Sequence, residues 1–221
     1  MPSTLQAAFF DVDGVLIDSL SEHLQICRDE ALEFGLKLRV PTIDEFRELI
    51  RRGTKIGPMR YFFLAVGFPE PLVGRAVAEY EKVFMERYRP KAFPEIDKTL
   101  ATLRKAGLKI GLVTANTRDN VVPALGESMK YFEEQCLFFW DRYPIPKTKH
   151  WCLVEGARIL GIEPGDCAYI GDQPSDASAA AEAGTRFLGV TYGWGIAEGD
   201  KQYQTAKSVS EIADRLIAWT V

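Results

Sequence analysis

Apolar residues recur along this chain with two different periods. The run Ala7-Ala8-Phe9-Phe10 is continuous, as in a strand buried on both faces of a parallel sheet. Comparable short apolar runs lie at 109–114, 137–140, 167–171 and 187–190. Between residues 20 and 90 the spacing is helical instead. Leu20, Leu24, Cys27, Ala31 and Phe34 share one face, and Gly35 fits the stop. Thr42 with Glu45 three residues on is a capping-box pair ahead of Phe46, Leu49 and Ile50. Gly57-Pro58 breaks the pattern before 59–66, and 72–88 places Val73, Val77, Tyr80 and Phe84 together. Further helices are predicted over 94–106 (stop at Gly107), 119–131, 150–160 (stop at Gly161), from Asp176 to Gly184, and over 208–218 with Ser208 or Ser210 as N-cap. The pattern predicts an α/β protein with an all-helical insertion straight after its first strand.

Composition narrows the class. The chain has 221 residues, 47% hydrophobic and 26% charged, which suits one domain plus an insertion or two small domains. A net charge of −4 offers no footprint for nucleic acid. The cysteines Cys27, Cys136, Cys152 and Cys167 form no CxxC pair, so buried free thiols in a reducing cytoplasm are expected. The first residues carry no basic n-region with a long apolar run, and no stretch is long enough to span a bilayer. A cytoplasmic protein without a membrane partner is expected; the oligomeric state is not legible.

Polar chemistry gathers where the predicted strands end. Asp11 and Asp13 follow the first strand and precede Gly14. An Asp-Gly pair by itself is an ordinary turn. Asp11, however, follows two Phe, and burying a carboxylate without a partner is costly. Two such acids are explained by a shared cation or a chemical task. Thr114-Ala115-Asn116 follows another strand, with a hydroxyl and backbone N–H groups near a helix N-terminus, as either a phosphate cradle or a simple cap. Lys147 and Lys149 lie in a stiff loop after Pro144 and Pro146. Asp172 ends a further strand, with Asp176 in the helix beyond, and Thr191–Gly195 is a loop at the same sheet edge. The insertion carries His23 and a basic run of Arg47, Arg51, Arg52 and Lys55, read either as contacts for an anionic substrate or as a solvated face.

The string Phe9-Phe10-Asp11-Val12-Asp13-Gly14-Val15-Leu16-Ile17-Asp18-Ser19 resembles the first motif of the haloacid dehalogenase-like hydrolase superfamily. Thr114, the lysine loop and Gly171-Asp172-x-x-x-Asp176 match the later motifs in order. The resemblance implies a Rossmann-like parallel core (1–18 and 91–221) and a helical C1-type cap (19–90). It implies a phosphatase similar to the phosphoglycolate-phosphatase-like branch, acting on a small phosphate monoester through an aspartyl phosphate. Asp11 would be the nucleophile and Asp13 the general acid/base. Thr114, with the N–H groups of Ala115 and Asn116, would hold the phosphoryl group, and Lys147 would neutralise it, with Lys149 as rival. Mg²⁺ would be held by Asp11, the carbonyl of Asp13 and Asp172, with Asp176 as an adjacent or water-mediated ligand or as the holder of the lysine. Arg51 and His23 are candidate substrate contacts. The departures are Thr148 for the usual Pro after the lysine and Glu95 for the usual Gly after Pro94. A β-phosphoglucomutase-like mutase and a silent binding protein on the same fold remain alternatives, the first weakened because Gly171 stands where those mutases carry Glu.

Overall fold

Phe9 and Phe10 point to opposite faces of one sheet, and the layering of the core follows from that alternation. The computed structural model describes residues 4–142 and 148–220. Strand β1 (Ala7–Phe10) pairs in parallel with β4 (Lys109–Val113) on one side and β6 (Cys167–Gly171) on the other. The sheet continues through β5 (Leu137–Phe138) at one edge and β7 (Arg186–Val190) and β8 (Thr205–Ala206) at the other, in the order β5-β4-β1-β6-β7-β8. Every pairing among these six is parallel. A parallel sheet needs crossover helices on both faces. Ala8 and Phe10 pack with α5 (Ile96–Lys105), α6 (Arg118–Leu125) and α9 (Val209–Ile217). Ala7 and Phe9 pack with α7 (Lys149–Leu160) and α8 (Pro174–Ala183). With β1 central, its C-terminal end opens where crossovers diverge to either side, the place where open α/β sheets bind ligands.

Four helices lie between β1 and the rest of the sheet: α1 (Leu20–Glu33), α2 (Ile43–Arg51), α3 (Met59–Val66) and α4 (Glu70–Arg87). They share an apolar cluster of their own, including Leu24, Phe46, Phe62, Phe63 and Phe84. The chain leaves and returns side by side, through the antiparallel pair β2 (Ile17–Asp18) and β3 (Lys91–Ala92). The Thr42–Glu45 capping box forms as its spacing predicts. Ser208, not Ser210, caps the last helix, accepting from the Glu211 N–H.

The structure adds the two-residue strands β2, β3 and β8 to the predicted elements, and departs from them near residues 126, 140 and 95. The helix expected over 119–131 stops at Leu125, because Gly126 turns to φ +52° and the chain goes on as a 3-10 helix. The expected 137–140 strand is two residues long, since Trp140 starts a 3-10 turn and donates its N–H to Asn116 O. Glu95 enters α5 at φ +67°, a left-handed conformation that a glycine adopts without steric cost.

Glu30 is the conspicuous polar residue of the helical insert. It is 3% exposed, and neither carboxylate oxygen has a hydrogen-bond partner among the described residues. Burial, then Glu79 and Glu33, push its pKa up to about 8. Its folded-state pKa is thus raised, so the neutral form favours folding at low pH and that contribution is lost as pH rises from the ordinary value toward 8. Glu30→Gln is therefore expected to gain stability over the wild type by about 2–4 kcal/mol between pH 5 and pH 8, with each pKa unit worth about 1.4 kcal/mol. Denaturant unfolding at the two pH values checks this; equal differences at both would show that Glu30 does not titrate with folding.

Candidate active site

Each candidate side chain leaves the sheet at the same edge. Asp11 follows β1, Thr114 follows β4, Asp172 follows β6, and Lys149 opens α7. Asp11 is buried; its Oδ1 accepts the Val12 N–H at 2.8 Å, and its Oδ2 accepts from Lys149 Nζ at 2.7 Å. The same ammonium donates to Asp176 Oδ1 at 2.6 Å. Asp176 Oδ2 accepts the N–H groups of Asp172 (3.2 Å) and Gln173 (3.1 Å), which anchors it at the first turn of α8. Beneath this pair lies fully buried Tyr169, its ring centroid 5.9 Å from Lys149 Nζ.

Asp172 is wholly buried. Its Oδ2 accepts the Trp194 N–H at 2.6 Å, while its Oδ1 has no partner among the described residues. Glycines make the room around it. A Cβ at Gly14, where φ is +78°, would lie 2.1 Å from Asp172 Oδ2, and one at Gly193 would lie 2.4 Å from Asp172 Cβ. Carboxylate oxygens of Asp11, Asp172 and Asp176 all lie within 4.8 Å of one another. Three carboxylates against one ammonium leave two negative charges uncompensated in a buried site. The pKa shifts express that imbalance. Burial and the neighbouring Asp176 raise Asp11 to about 7 against the pull of Lys149. Burial, Asp176 and Asp11 raise Asp172 well above the usual carboxylate range. Burial pulls the Lys149 pKa down, but Asp11 and Asp176 outweigh it and hold it well above the usual lysine value. The orphaned Asp172 Oδ1, the all-oxygen donor set and the excess of two charges fit a hard divalent cation. Asp176 already spends both oxygens on protein donors, which suits it better to holding Lys149.

Asp13 sits apart from that cluster. Its carboxylate accepts from Ser19 Oγ at 2.6 Å and from Asn116 Nδ2 at 2.9 Å. Thr114 Oγ1 accepts the Asn116 N–H at 3.0 Å, so that amide is engaged locally; the Ala115 N–H has no acceptor among the described residues. Lys147 lies outside the described residues. His23 is buried, its Nδ1 2.6 Å from Ser19 O and its Nε2 3.2 Å from the Tyr80 hydroxyl. A carbonyl only accepts, so Nδ1 carries the proton and Nε2 accepts from Tyr80. Burial lowers the His23 pKa against the opposing field of Asp13. Arg51 is 40% exposed on the side chain and does not line the cavity described next; of the basic run, Lys55 does.

Between the sheet edge and the helical insert lies a cavity of about 730 Å³ that holds Asp11, Asp13, Thr114 and Lys149 at its floor. Its far wall is largely apolar and aromatic, with Ile50, Met59, Phe62, Tyr80 and Trp194 among its residues. Sequence reasoning missed Ser19 as a partner of Asp13 and Trp194 as a partner of Asp172. Ser19 stands in the first motif, and Trp194 in the Gly-rich loop whose edge position was legible.

Comparison with known proteins gives a consistent result. A family model for haloacid dehalogenase-like hydrolases matches residues 5–184. A phosphoglycolate phosphatase from Pseudomonas putida is 31% identical over 205 residues, covering 87% of this chain and 72% of that protein. An N-acetylmuramic acid 6-phosphate phosphatase from Pseudomonas aeruginosa is 28% identical over 199 residues, covering 86% and 83% respectively. A haloacid dehalogenase-like family hydrolase of known structure from Streptococcus pneumoniae superposes with a TM-score of 0.78 at 21% identity, covering 96% of this chain and 98% of that one.

Proposed function

This chain belongs to the haloacid dehalogenase-like hydrolase family, and from that premise we propose that it is a Mg²⁺-dependent phosphatase of small phosphate monoesters. The observation that carries the reading is the buried Asp11–Lys149–Asp176 triad beside an Asp172 oxygen without a partner among the described residues. Asp11, Asp172 and the carbonyl of Asp13 would hold the metal. When bound, Mg²⁺ supplies charge that screens the phosphate dianion from the attacking carboxylate.

Asp11 attacks phosphorus, forming an aspartyl phosphate as the bond to the leaving oxygen breaks. Asp13 gives its proton to that oxygen and then takes one from the water that attacks the aspartyl phosphate. The bond between Asp11 and phosphorus breaks in this second step, and inorganic phosphate leaves. Lys149 balances the charge on the phosphoryl oxygens and keeps Asp11 in line, while Thr114 donates its hydroxyl to one of them. The helical segment 19–90 acts as a cap, supplying the apolar wall against which the leaving group lies.

The two relatives act, by their names, on phosphoglycolate and on N-acetylmuramic acid 6-phosphate. The cavity leaves far more room than a two-carbon acid fills, and its aromatic far wall suits a sugar ring. A mutase reading is disfavoured by the packing at Gly171. A Cβ there would lie 2.4 Å from Asp176 Cβ, so a Glu at this place would displace the residue that holds Lys149.

The test is phosphate release from a panel of monoesters, with 2-phosphoglycolate, hexose 6-phosphates and β-glucose 1-phosphate included. It is run with Mg²⁺ and after chelation. Turnover that chelation abolishes and Mg²⁺ restores is the expected outcome, with kcat/KM for a hexose 6-phosphate at least ten-fold above that for 2-phosphoglycolate. Isomerisation of β-glucose 1-phosphate without release would overturn the phosphatase in favour of the mutase.

A further inference from the structure

Asn120 is buried on the first turn of α6 and hydrogen-bonds to neither Asp11 nor Asp13, yet a chain of hydrogen bonds runs from it to the proposed acid/base. Asn120 Nδ2 lies 2.9 Å from Asn116 Oδ1. The Thr117 N–H lies 2.8 Å from the same atom. The other terminus of the Asn116 amide lies 2.9 Å from Asp13 Oδ2. The two ends of an amide are chemically opposite, and only partners decide which faces where. A backbone N–H can only donate, so the atom of Asn116 beside Thr117 is the oxygen. The atom of Asn120 that meets this oxygen is then the NH₂. The NH₂ of Asn116 is left facing Asp13.

We infer that Asn120 is a positioning residue: by holding Asn116 Oδ1 it turns the Asn116 NH₂ toward Asp13 and so aims the acid/base carboxyl. The inference rests on the phosphatase reading above. Asn116 and Ser19 together occupy both oxygens of Asp13. Loss of the Asn116 arm leaves that carboxyl tethered only at Oδ1, free to swing about its χ2 away from the leaving oxygen. General acid catalysis is sensitive to such displacement because the proton must pass over hydrogen-bond distance.

The leaving group provides the readout. An alkoxide needs protonation as it departs, whereas p-nitrophenolate departs without it. kcat/KM covers the reaction only as far as the first irreversible step, so comparing an alkyl with an aryl ester isolates the acid role of Asp13 from its later role toward water. Asn120→Asp is the informative variant. It replaces the donor with an acceptor against Asn116 Oδ1; the helix dipole at the first turn of α6 offsets only part of the cost of burying the new charge, so thermal unfolding beside the assay verifies that the variant is folded.

For Asn120→Asp we expect kcat/KM for a hexose 6-phosphate or 2-phosphoglycolate, whichever the wild type turns over faster, to fall at least thirty-fold. For p-nitrophenyl phosphate the fall is less than five-fold. Any repulsion of the phosphate dianion by the new charge is common to both esters and cancels in their ratio. Asn120→Ala shows the same bias at about a third of the size, since Thr117 still holds Asn116. In an Asn116→Ala background, Asn120→Asp adds less than two-fold for any ester. Equal losses on both esters, or an undiminished loss in the Asn116→Ala background, would overturn the inference. A wild type that releases phosphate from neither ester would instead overturn the phosphatase reading.

Discussion

Asp11→Asn is expected to lose catalytic turnover by on the order of 10³-fold or more while remaining fully folded. The amide is nearly isosteric with the carboxylate but cannot attack phosphorus as an anion. Its effect on stability has the opposite sign from that on activity. Asp11 is a buried carboxylate in a cluster whose negative charge exceeds its positive charge, and its pKa is driven up to about 7 by burial and by Asp176. Removing that charge ends the cost of burying it and relieves the repulsion on Asp176 and Asp172, while Lys149 loses one of its two carboxylates and keeps Asp176. It also leaves an NH₂ group near the Val12 N–H, where a donor meets a donor. The charge relief is the larger effect in a buried site, so the metal-free variant is expected to melt at or above the wild-type temperature at neutral pH. Thermal unfolding after chelation, beside the phosphate-release assay, measures both. Retained activity would remove Asp11 as the nucleophile and with it the aspartyl-phosphate reading.

Lys149→Met is expected to reduce kcat by about 10²-fold or more and, unlike Asp11→Asn, to cost stability. The ammonium bridges two buried carboxylates at 2.7 and 2.6 Å, and its removal leaves both uncompensated. Breaking a buried pair from one side costs about 3–5 kcal/mol. Part of that loss returns when Mg²⁺ is added, because the cation takes over some of the missing charge. Lys147→Met in parallel decides between the two lysines of the loop. If Lys147→Met abolishes turnover and Lys149→Met does not, the phosphoryl group is served by Lys147 and the triad is purely structural.

The two variants of the triad differ in sign because the carboxylates and the lysine stand on opposite sides of the same charge imbalance. Asp11 adds to the excess and Lys149 reduces it. The same imbalance predicts that divalent cations raise the melting temperature of the wild type, since a ligand that binds only the folded state stabilises it.

Much of this organisation is readable in local sequence, for a physical reason. Strand ends, helix caps and glycine turns are decided by residues within a few positions of one another. Thr42 and Glu45 find each other across one turn, Gly161 and Gly184 end their helices in the left-handed conformation, and Ala7–Phe10 is apolar at every position because both faces of β1 are covered. The same locality places Asp11, Thr114 and Asp172 at strand ends, independently of any contact between them. Local signals failed where packing overrode them, as at Gly126, where a helical pattern breaks, and at Trp140, where a strand-like run turns aside.

Only the tertiary structure decided which polar groups meet. Two lysines two residues apart are equivalent as point charges in the sequence; the start of α7 carries Lys149 to Asp11, a residue 138 positions away. Arg51 and Lys55 belong to one basic run, but the turn after α2 leaves the first outside the cavity and brings the second to its wall. The Asn116 amide has no preferred direction until the Thr117 N–H and Asn120 give it one. His23, a candidate substrate contact in sequence, lines the cavity but is buried with a partner on each ring nitrogen. The sequence by itself thus determined the parallel core, the helical insertion and the residue types at each strand end, because those depend on periodicity and neighbours along the chain. Partner choice, charge balance and amide orientation depend on atoms brought together from distant segments, and those the tertiary structure alone decided.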